Sequence, residues 1–132
     1  GIDITDRKMM ETEQTQLKRA IDEGLEGVAL LNTRGRYTYM NTAYSAIYGY
    51  GREDLLGQTW AHQHPSQEII RIKRECLPAL ERSGSWQGEL IGKKKTGQLF
   101  AVEISLSTLP VDQGAVPGYV CICRDITERK KA

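Results

Sequence analysis

Apolar residues along this chain follow two rhythms. Between residues 98 and 109 they alternate, with Phe100, Val102, Ile104 and Leu106 on one side and Ala101, Glu103, Ser105 and Ser107 on the other. A period of two puts the four apolar side chains on one face of a β-strand. A strand at 86–93 precedes it through the turn Lys94-Lys95-Thr96-Gly97, and a last strand at 119–124 follows the loop 110–117. Nearer the start, Val28-Ala29-Leu30-Leu31 and the run from Arg36 to Met40 form a hairpin around Asn32 to Gly35. Between these groups the period becomes helical. Ala43, Tyr44, Ile47 and Tyr48 mark a short helix, capped by Asn41 and closed by Gly49 and Gly51. Residues 52–56 make a single turn closed by Gly57. A loop with Trp60, His62, His64 and Pro65 leads into a helix over 67–82. Its buried side carries Ile69, Ile70, Cys76, Leu77 and Leu80, and Pro78 is expected to kink it. Two strands, several small helices and three strands predict an α+β domain, a five-stranded antiparallel sheet with helices on one face.

Ahead of this domain, residues 5–24 are polar and free of proline. Met10, Leu17, Ala20 and Ile21 give them a thin apolar stripe at helical spacing. An amphipathic connector helix is expected there, packing against its mate in a homodimer. A helix of this length is marginal alone in water, so it must dock on something.

Composition narrows the picture mainly by exclusion. The 132 residues suit one domain with its own core. Eighteen basic residues against 17 acidic ones make no electrostatic case for nucleic acid or an anionic membrane surface. No apolar run approaches the roughly 18 residues of a membrane span, and no leader pattern is visible. Three cysteines form no disulfide framework, which points to a reducing cytoplasm. A longer parent protein could still be membrane-anchored.

One phrase occurs twice. Asp3-Ile4-Thr5-Asp6-Arg7-Lys8 returns as Asp125-Ile126-Thr127-Glu128-Arg129-Lys130, 122 residues later. That spacing is about one domain plus a connector. Residues 1–22 therefore read as the tail of a preceding module with its connector, 23–127 as the domain, and 128–132 as the start of an exiting helix. Asp125 is expected to cap that helix, with Glu128 completing a capping box. Asp125, Ile126 and Thr127 become candidate relay residues.

Catalytic constellations are missing. No Ser-His-Asp order, phosphate loop or metalloprotease signature is present. Gly49-Tyr50-Gly51 is too short for a dinucleotide fingerprint. Glu53, Asp54 and Glu89 are better explained by a helix turn and an exposed strand face. Cys121 and Cys123 share one face of a strand, but a structural zinc wants four ligands. They read as small buried hydrophobes, so no enzyme activity and no metal are expected. A space between sheet and helices remains a candidate ligand pocket, with Tyr48, Trp60, Ile70, Trp86, Leu90, Phe100, Val102 and Ile104 as candidate walls.

Six short motifs, in order, resemble the PAS domain with its C-terminal PAC segment. Gly35-Arg36 followed by Tyr39-Met40-Asn41-Thr42-Ala43 is similar to the family's second strand running into its first helix. Tyr48-Gly49-Tyr50 with Glu53-Asp54-Leu55-Leu56-Gly57, then His64-Pro65, Trp86-Gln87-Gly88-Glu89, Lys94-Lys95-Thr96-Gly97 and Asp125-Ile126-Thr127-Glu128-Arg129 follow. The resemblance covers about residues 23–129. It implies strand order 2-1-5-4-3 and a sensory or relay module in a signalling protein. By the same resemblance, the partners are neighbouring PAS domains and an output such as a histidine kinase or diguanylate cyclase. Detection of a small ligand is the leading expectation, and a ligand-free dimerisation spacer is the alternative within the family. A haem or flavin redox sensor is the alternative from another class. The stretch where flavin-binding light sensors carry a photoreactive cysteine reads Gly57-Gln58-Thr59-Trp60-Ala61 here, without one. Haem-binding members place the ligating histidine on or near the long helix, whereas His62 and His64 precede it. No cofactor is therefore expected.

Overall fold

The computed structural model describes residues 16, 19, 21, 22, 24–109 and 118–131. Five strands form one antiparallel sheet: β1 (Gly27–Asn32), β2 (Tyr37–Met40), β3 (Ser85–Lys93), β4 (Leu99–Leu109) and β5 (Gly118–Asp125). Their spatial order is β2-β1-β5-β4-β3. The last strand thus lies at the centre, held by β1 on one side and β4 on the other. Whatever bends this sheet reaches the chain's exit directly.

The helical connection covers one face. It comprises α1 (Thr42–Tyr48), α2 (Arg52–Leu55), a 3-10 turn (Trp60–Gln63), α3 (Ser66–Arg71), a π-helical segment (Ile72–Cys76) and α4 (Leu77–Ser83). Helix α5 (Thr127–Lys131) leaves the sheet after β5. Alternation along β4 holds, with Phe100, Val102 and Ile104 buried and their neighbours more exposed. Cys121 and Cys123 face the same core as Ala29 and Leu31. Helix α1 lies close against β1. A Cβ at Gly27 would come within 2.7 Å of the Cys123 sulfur and 2.9 Å of the Tyr44 Cα, so only glycine lets helix and sheet approach this closely.

The long helix departs from expectation. It is α-helical to Arg71, π-helical through Cys76 and α-helical again from Leu77. The Leu77 amide donates to the Ile72 carbonyl, five residues back. Pro78 follows at once, and its ring cannot donate into the preceding turn. The wider π turn absorbs that defect where a sharp kink was expected. The buried apolar residues are Ile72, Cys76 and Leu80, while Ile70 is 62% exposed and Leu77 is 37% exposed.

Asn41 anchors the start of the domain. Its carbonyl oxygen accepts from the amides of Tyr44 (3.0 Å) and Val28 (2.9 Å). Its amide nitrogen donates to the carbonyls of Ile21 (2.7 Å) and Glu26 (3.0 Å). The expected helix cap is therefore also a clasp between the incoming segment, β1 and α1. Of that segment, Gln16, Arg19, Ile21 and Asp22 are helical. Met10, Leu17, Ala20, the first copy of the repeated phrase and the loop 110–117 lie outside the described residues.

The exit differs in detail from the expected cap. Helix α5 starts at Thr127, two residues after Asp125. The Asp125 carboxylate accepts from the Thr127 amide at 2.9 Å and from its hydroxyl at 2.5 Å. This is an Asx-type turn leading into the helix rather than an N-cap. Among the described residues Glu128 makes no return bond to Asp125, so the expected capping box does not form.

Candidate functional site

A cavity of about 180 Å³ lies between sheet and helices. Its floor is Leu31 of β1, Leu90 of β3, Ile104 and Leu106 of β4, and Tyr119 and Cys121 of β5. Tyr37 and Tyr44 close one end, and Ile72, Leu77 and Leu80 close the other. Thr33 and Arg34, both exposed, stand at its rim.

Trp60 and His64 complete the wall, and local backbone bonds place them. The Tyr37 amide donates to the Gln58 carbonyl at 3.0 Å, and the Gly57 amide donates to the Tyr37 carbonyl at 2.8 Å. The Trp60 amide then donates to the Gly35 carbonyl at 3.2 Å. These bonds tie the loop to the edge of β2 and hold the indole against Gly35. Gly35 has φ of 76°, and a Cβ there would sit 2.8 Å from the indole nitrogen. Turn geometry and close approach both demand glycine.

Three side chains from the helical layer satisfy the free edge of β3. The His64 Nδ1 lies 2.8 Å from the Ile91 carbonyl oxygen. Because that partner can only accept, Nδ1 carries the proton. The Glu68 carboxylate accepts from the Ile91 amide, and Arg71 donates to the Glu89 carbonyl at 3.1 Å. An edge strand offers unpaired backbone groups, and this helical face pairs them in place of a sixth strand. Burial lowers the His64 pKa from its ordinary value, partly offset by the bond to Ile91 and by the nearby Glu68 charge. The ring is therefore neutral near pH 7.

Polar groups gather at the tyrosine end. The Tyr37 and Tyr44 hydroxyls lie 2.6 Å apart. Tyr48 lies beside Tyr44 at 5.2 Å between ring centroids, and among the described residues its hydroxyl makes no hydrogen bond of good geometry. Nor do the two amide atoms of the fully buried Gln63. Burial pushes the three tyrosines well above their ordinary pKa. It also pushes Cys121 up to about 12 and Cys76 up to about 11. All are protonated and unreactive near neutral pH.

Of the sequence-predicted wall residues, Trp60, Leu90 and Ile104 line this cavity. Five belong elsewhere, and each has a physical reason. Tyr48 and Phe100 meet edge to face at 5.4 Å over Gly92, filling that end of the interior. Val102 is fully buried in the same packed region, and Trp86 folds over Gly88 at the sheet margin. Ile70 faces away because the buried stripe runs through Ile72. Sequence reasoning missed Tyr37, Tyr44 and Gln63 as site residues, since tyrosines in apolar runs read as core. It also missed Glu68 and Arg71, although His64, Glu68 and Arg71 recur at the spacing of one helix face.

The exit is held on the opposite side of β3. Glu89 and Glu103 stand directly opposite each other across β3 and β4. Arg129 of α5 reaches Glu103 at 3.1 Å and Glu89 at 3.6 Å, and Lys130 reaches Glu89 at 2.7 Å. Ile126 is buried, and its amide donates to the Ala101 carbonyl at 3.2 Å.

A cavity of about 150 Å³ holds a benzene ring, so at about 180 Å³ the enclosed space here is smaller than the three fused rings of a flavin or the macrocycle of a porphyrin. The cysteines near the interior are buried and protonated, and His62 is exposed. Among the described residues no three metal-ligating side chains gather, and no helix is long and apolar enough to cross a membrane.

Comparison with known proteins agrees with this architecture. The chain is 28% identical over 107 residues to the nitrogen fixation regulatory protein of Klebsiella pneumoniae, covering 81% of this chain and 22% of that protein. It is 26% identical over 131 residues to the cell-division control histidine kinase PdhS of Brucella ovis, covering 96% of this chain and 12% of the kinase. The chain thus spans less than a quarter of these relatives. The PAS domain of a protein from Colwellia psychrerythraea superposes with a TM-score of 0.82 at 26% identity, covering 89% of this chain and 99% of that one. The family model for the PAS domain matches residues 25–128, and the chain belongs to that family.

Proposed function

We propose that this PAS domain is a non-enzymatic sensory and relay module that converts occupancy of its cavity into a change at the exit helix. One residue carries the reading. The backbone carbonyl of Glu89 is held by Arg71 from the helical layer, and its carboxylate is held by Lys130 of α5. The cavity wall contacts the same strand two residues away, where His64 bonds Ile91. Repacking of the helical layer therefore moves the edge strand on which α5 rests. Asp125, Ile126 and Thr127 form the junction through which the central strand passes that movement outward.

On this reading residues 23–127 are the sensing body, 128–132 begin the output connector and 1–22 bring input from a preceding module. The histidine kinase relative supports a parent of the histidine kinase type, and on our reading that parent is cytoplasmic at this domain and acts as a homodimer. The relay is tested by filling the cavity. Leu80→Phe places a larger side chain in it, and amide hydrogen exchange over residues 126–131 is then compared with wild type. The expected result is a changed protection of α5 in a domain that stays folded. Unchanged exchange there, with the cavity demonstrably filled, would remove the relay.

A further inference from the structure

Among the described residues three buried polar atoms make no hydrogen bond of good geometry, the Tyr48 hydroxyl oxygen and both amide atoms of Gln63. Buried polar groups in folded proteins are almost always bonded, to protein, water or ligand. Tyr48 and Gln63 flank the two cavity-lining tyrosines, and Gln63 sits near enough to influence the Tyr37 hydroxyl. The Tyr37–Tyr44 pair cannot satisfy itself. Whichever hydroxyl donates across their 2.6 Å contact, the other keeps a proton to give, and lone pairs remain on both. Most of the remaining interior wall is apolar, with Leu31, Ile72, Leu80, Leu90 and Ile104 beside Trp60, His64 and Cys121.

We propose that the cavity takes a small, uncharged, single-ring or similarly compact molecule whose one hydroxyl group bonds the Tyr37–Tyr44 pair. This rests on the cavity being a ligand site. Size follows from the volume, since about 150 Å³ accommodates benzene and this cavity offers about 180 Å³. Neutrality follows from the walls. Among the described lining residues Arg34, exposed at the rim, is the only one permanently charged, while the tyrosines, Cys121 and His64 are neutral near pH 7. A buried carboxylate or ammonium would find no counter-charge. A hydroxyl, which both donates and accepts, matches a hydroxyl pair better than a purely accepting group does.

The test uses the 132-residue chain and three single-ring probes that share a tolyl group: p-cresol, toluene and p-toluate. Binding is followed by titration of backbone amide NMR signals at Leu31, Tyr44 and Ile104. In a purely apolar cavity toluene would bind best, because stripping water from a hydroxyl costs free energy. The expected result is p-cresol binding about fivefold tighter than toluene, the worth of roughly one net hydrogen bond, with p-toluate not bound. Replacing both tyrosines (Tyr37→Phe with Tyr44→Phe) should reverse the order while toluene still binds, which also reports an intact cavity. If that variant does not fold, the wild-type order decides. Toluene binding as well as or better than p-cresol would overturn the hydroxyl inference while leaving the cavity a ligand site. Binding of none of the three would overturn both this inference and the sensing half of the proposed function.

Discussion

At the scale of single residues, two polar side chains hold the site in place. Asn41 makes four hydrogen bonds while fully buried. Asn41→Ala removes a helix cap and leaves the Val28 amide and the Glu26 carbonyl without partners, while the Ile21 carbonyl keeps the Gly24 amide. A capping loss of about 0.5–2 kcal/mol combines with roughly 1–3 kcal/mol for buried groups left unbonded, so about 3 kcal/mol is expected. Urea denaturation followed by tryptophan fluorescence measures it, and a loss well under 1 kcal/mol would mean the clasp is not structural. His64 makes a prediction in pH. Burial holds its folded pKa below the unfolded value of about 6.5, so the unfolded chain takes up the proton first. Stability is full above about pH 6.5 and falls as pH drops below it, toward the folded pKa. The urea midpoint should therefore fall between pH 7.5 and 5.5 by more in wild type than in His64→Gln. Equal slopes would mean the ring is not buried as a neutral group. The cap at Asn41 was legible, because an Asn before an apolar helical run is a local signal. Its bonds to Ile21 and Glu26, like the pairing of Tyr37 with Tyr44, join elements that only the folded chain brings together.

Among the elements, the strands were legible and the long helix was not fully so. Alternation on β4, turn residues at Lys94 to Gly97 and flanking glycines each carry a local physical cause. The π segment has no such signature, since shifting a hydrogen bond from four residues back to five leaves composition unchanged. That shift is why Ile70 was misread as a wall and Ile72 was not seen. Helix α5 has only five residues, too short to be stable by itself. It is held by the Asx turn at Asp125, by buried Ile126 and by the pairs of Arg129 and Lys130 with Glu89 and Glu103. Glu89 faces Glu103 across the ladder, and like charges so placed repel. The basic residues of α5 relieve that repulsion, so docking of the helix and comfort of the strand pair are linked. Exposed pairs of this kind contribute about 0.2–1 kcal/mol each and weaken with salt. Asp125→Ala should cost about 0.5–2 kcal/mol at the junction, raising amide exchange over 128–131 several-fold while the urea midpoint barely moves. In the full-length parent it should alter basal output. Wild-type signalling by that variant, with its fold intact, would make the motif a structural terminator only.

Taken as a whole molecule, the domain presents two different faces. The helical layer encloses the cavity, and the opposite sheet face carries Val28, Leu30, Val120 and Ile122 in one register. Ile122 is 38% exposed there, and Arg124 and the Glu89–Glu103 pair border the patch. Apolar side chains aligned across two central strands offer a natural seat for an amphipathic helix. The stripe of Met10, Leu17, Ala20 and Ile21, expected from the sequence to be helical, is proposed to supply one, since Asp22 is tied to Tyr39 at 2.5 Å beside β1. A stripe this narrow cannot stabilise an isolated helix in water. Docked on the sheet face of a second copy, it would bury apolar surface on both chains and bring the two exit helices together. Deleting residues 1–22 should therefore weaken self-association, shifting sedimentation velocity toward the monomer relative to the full chain. Ile122→Glu, which leaves the segment present but charges its seat, should do the same while the domain stays folded. Sedimentation unchanged by both alterations at every concentration would show that residues 1–22 are a tether between modules and that the sheet face joins no second copy.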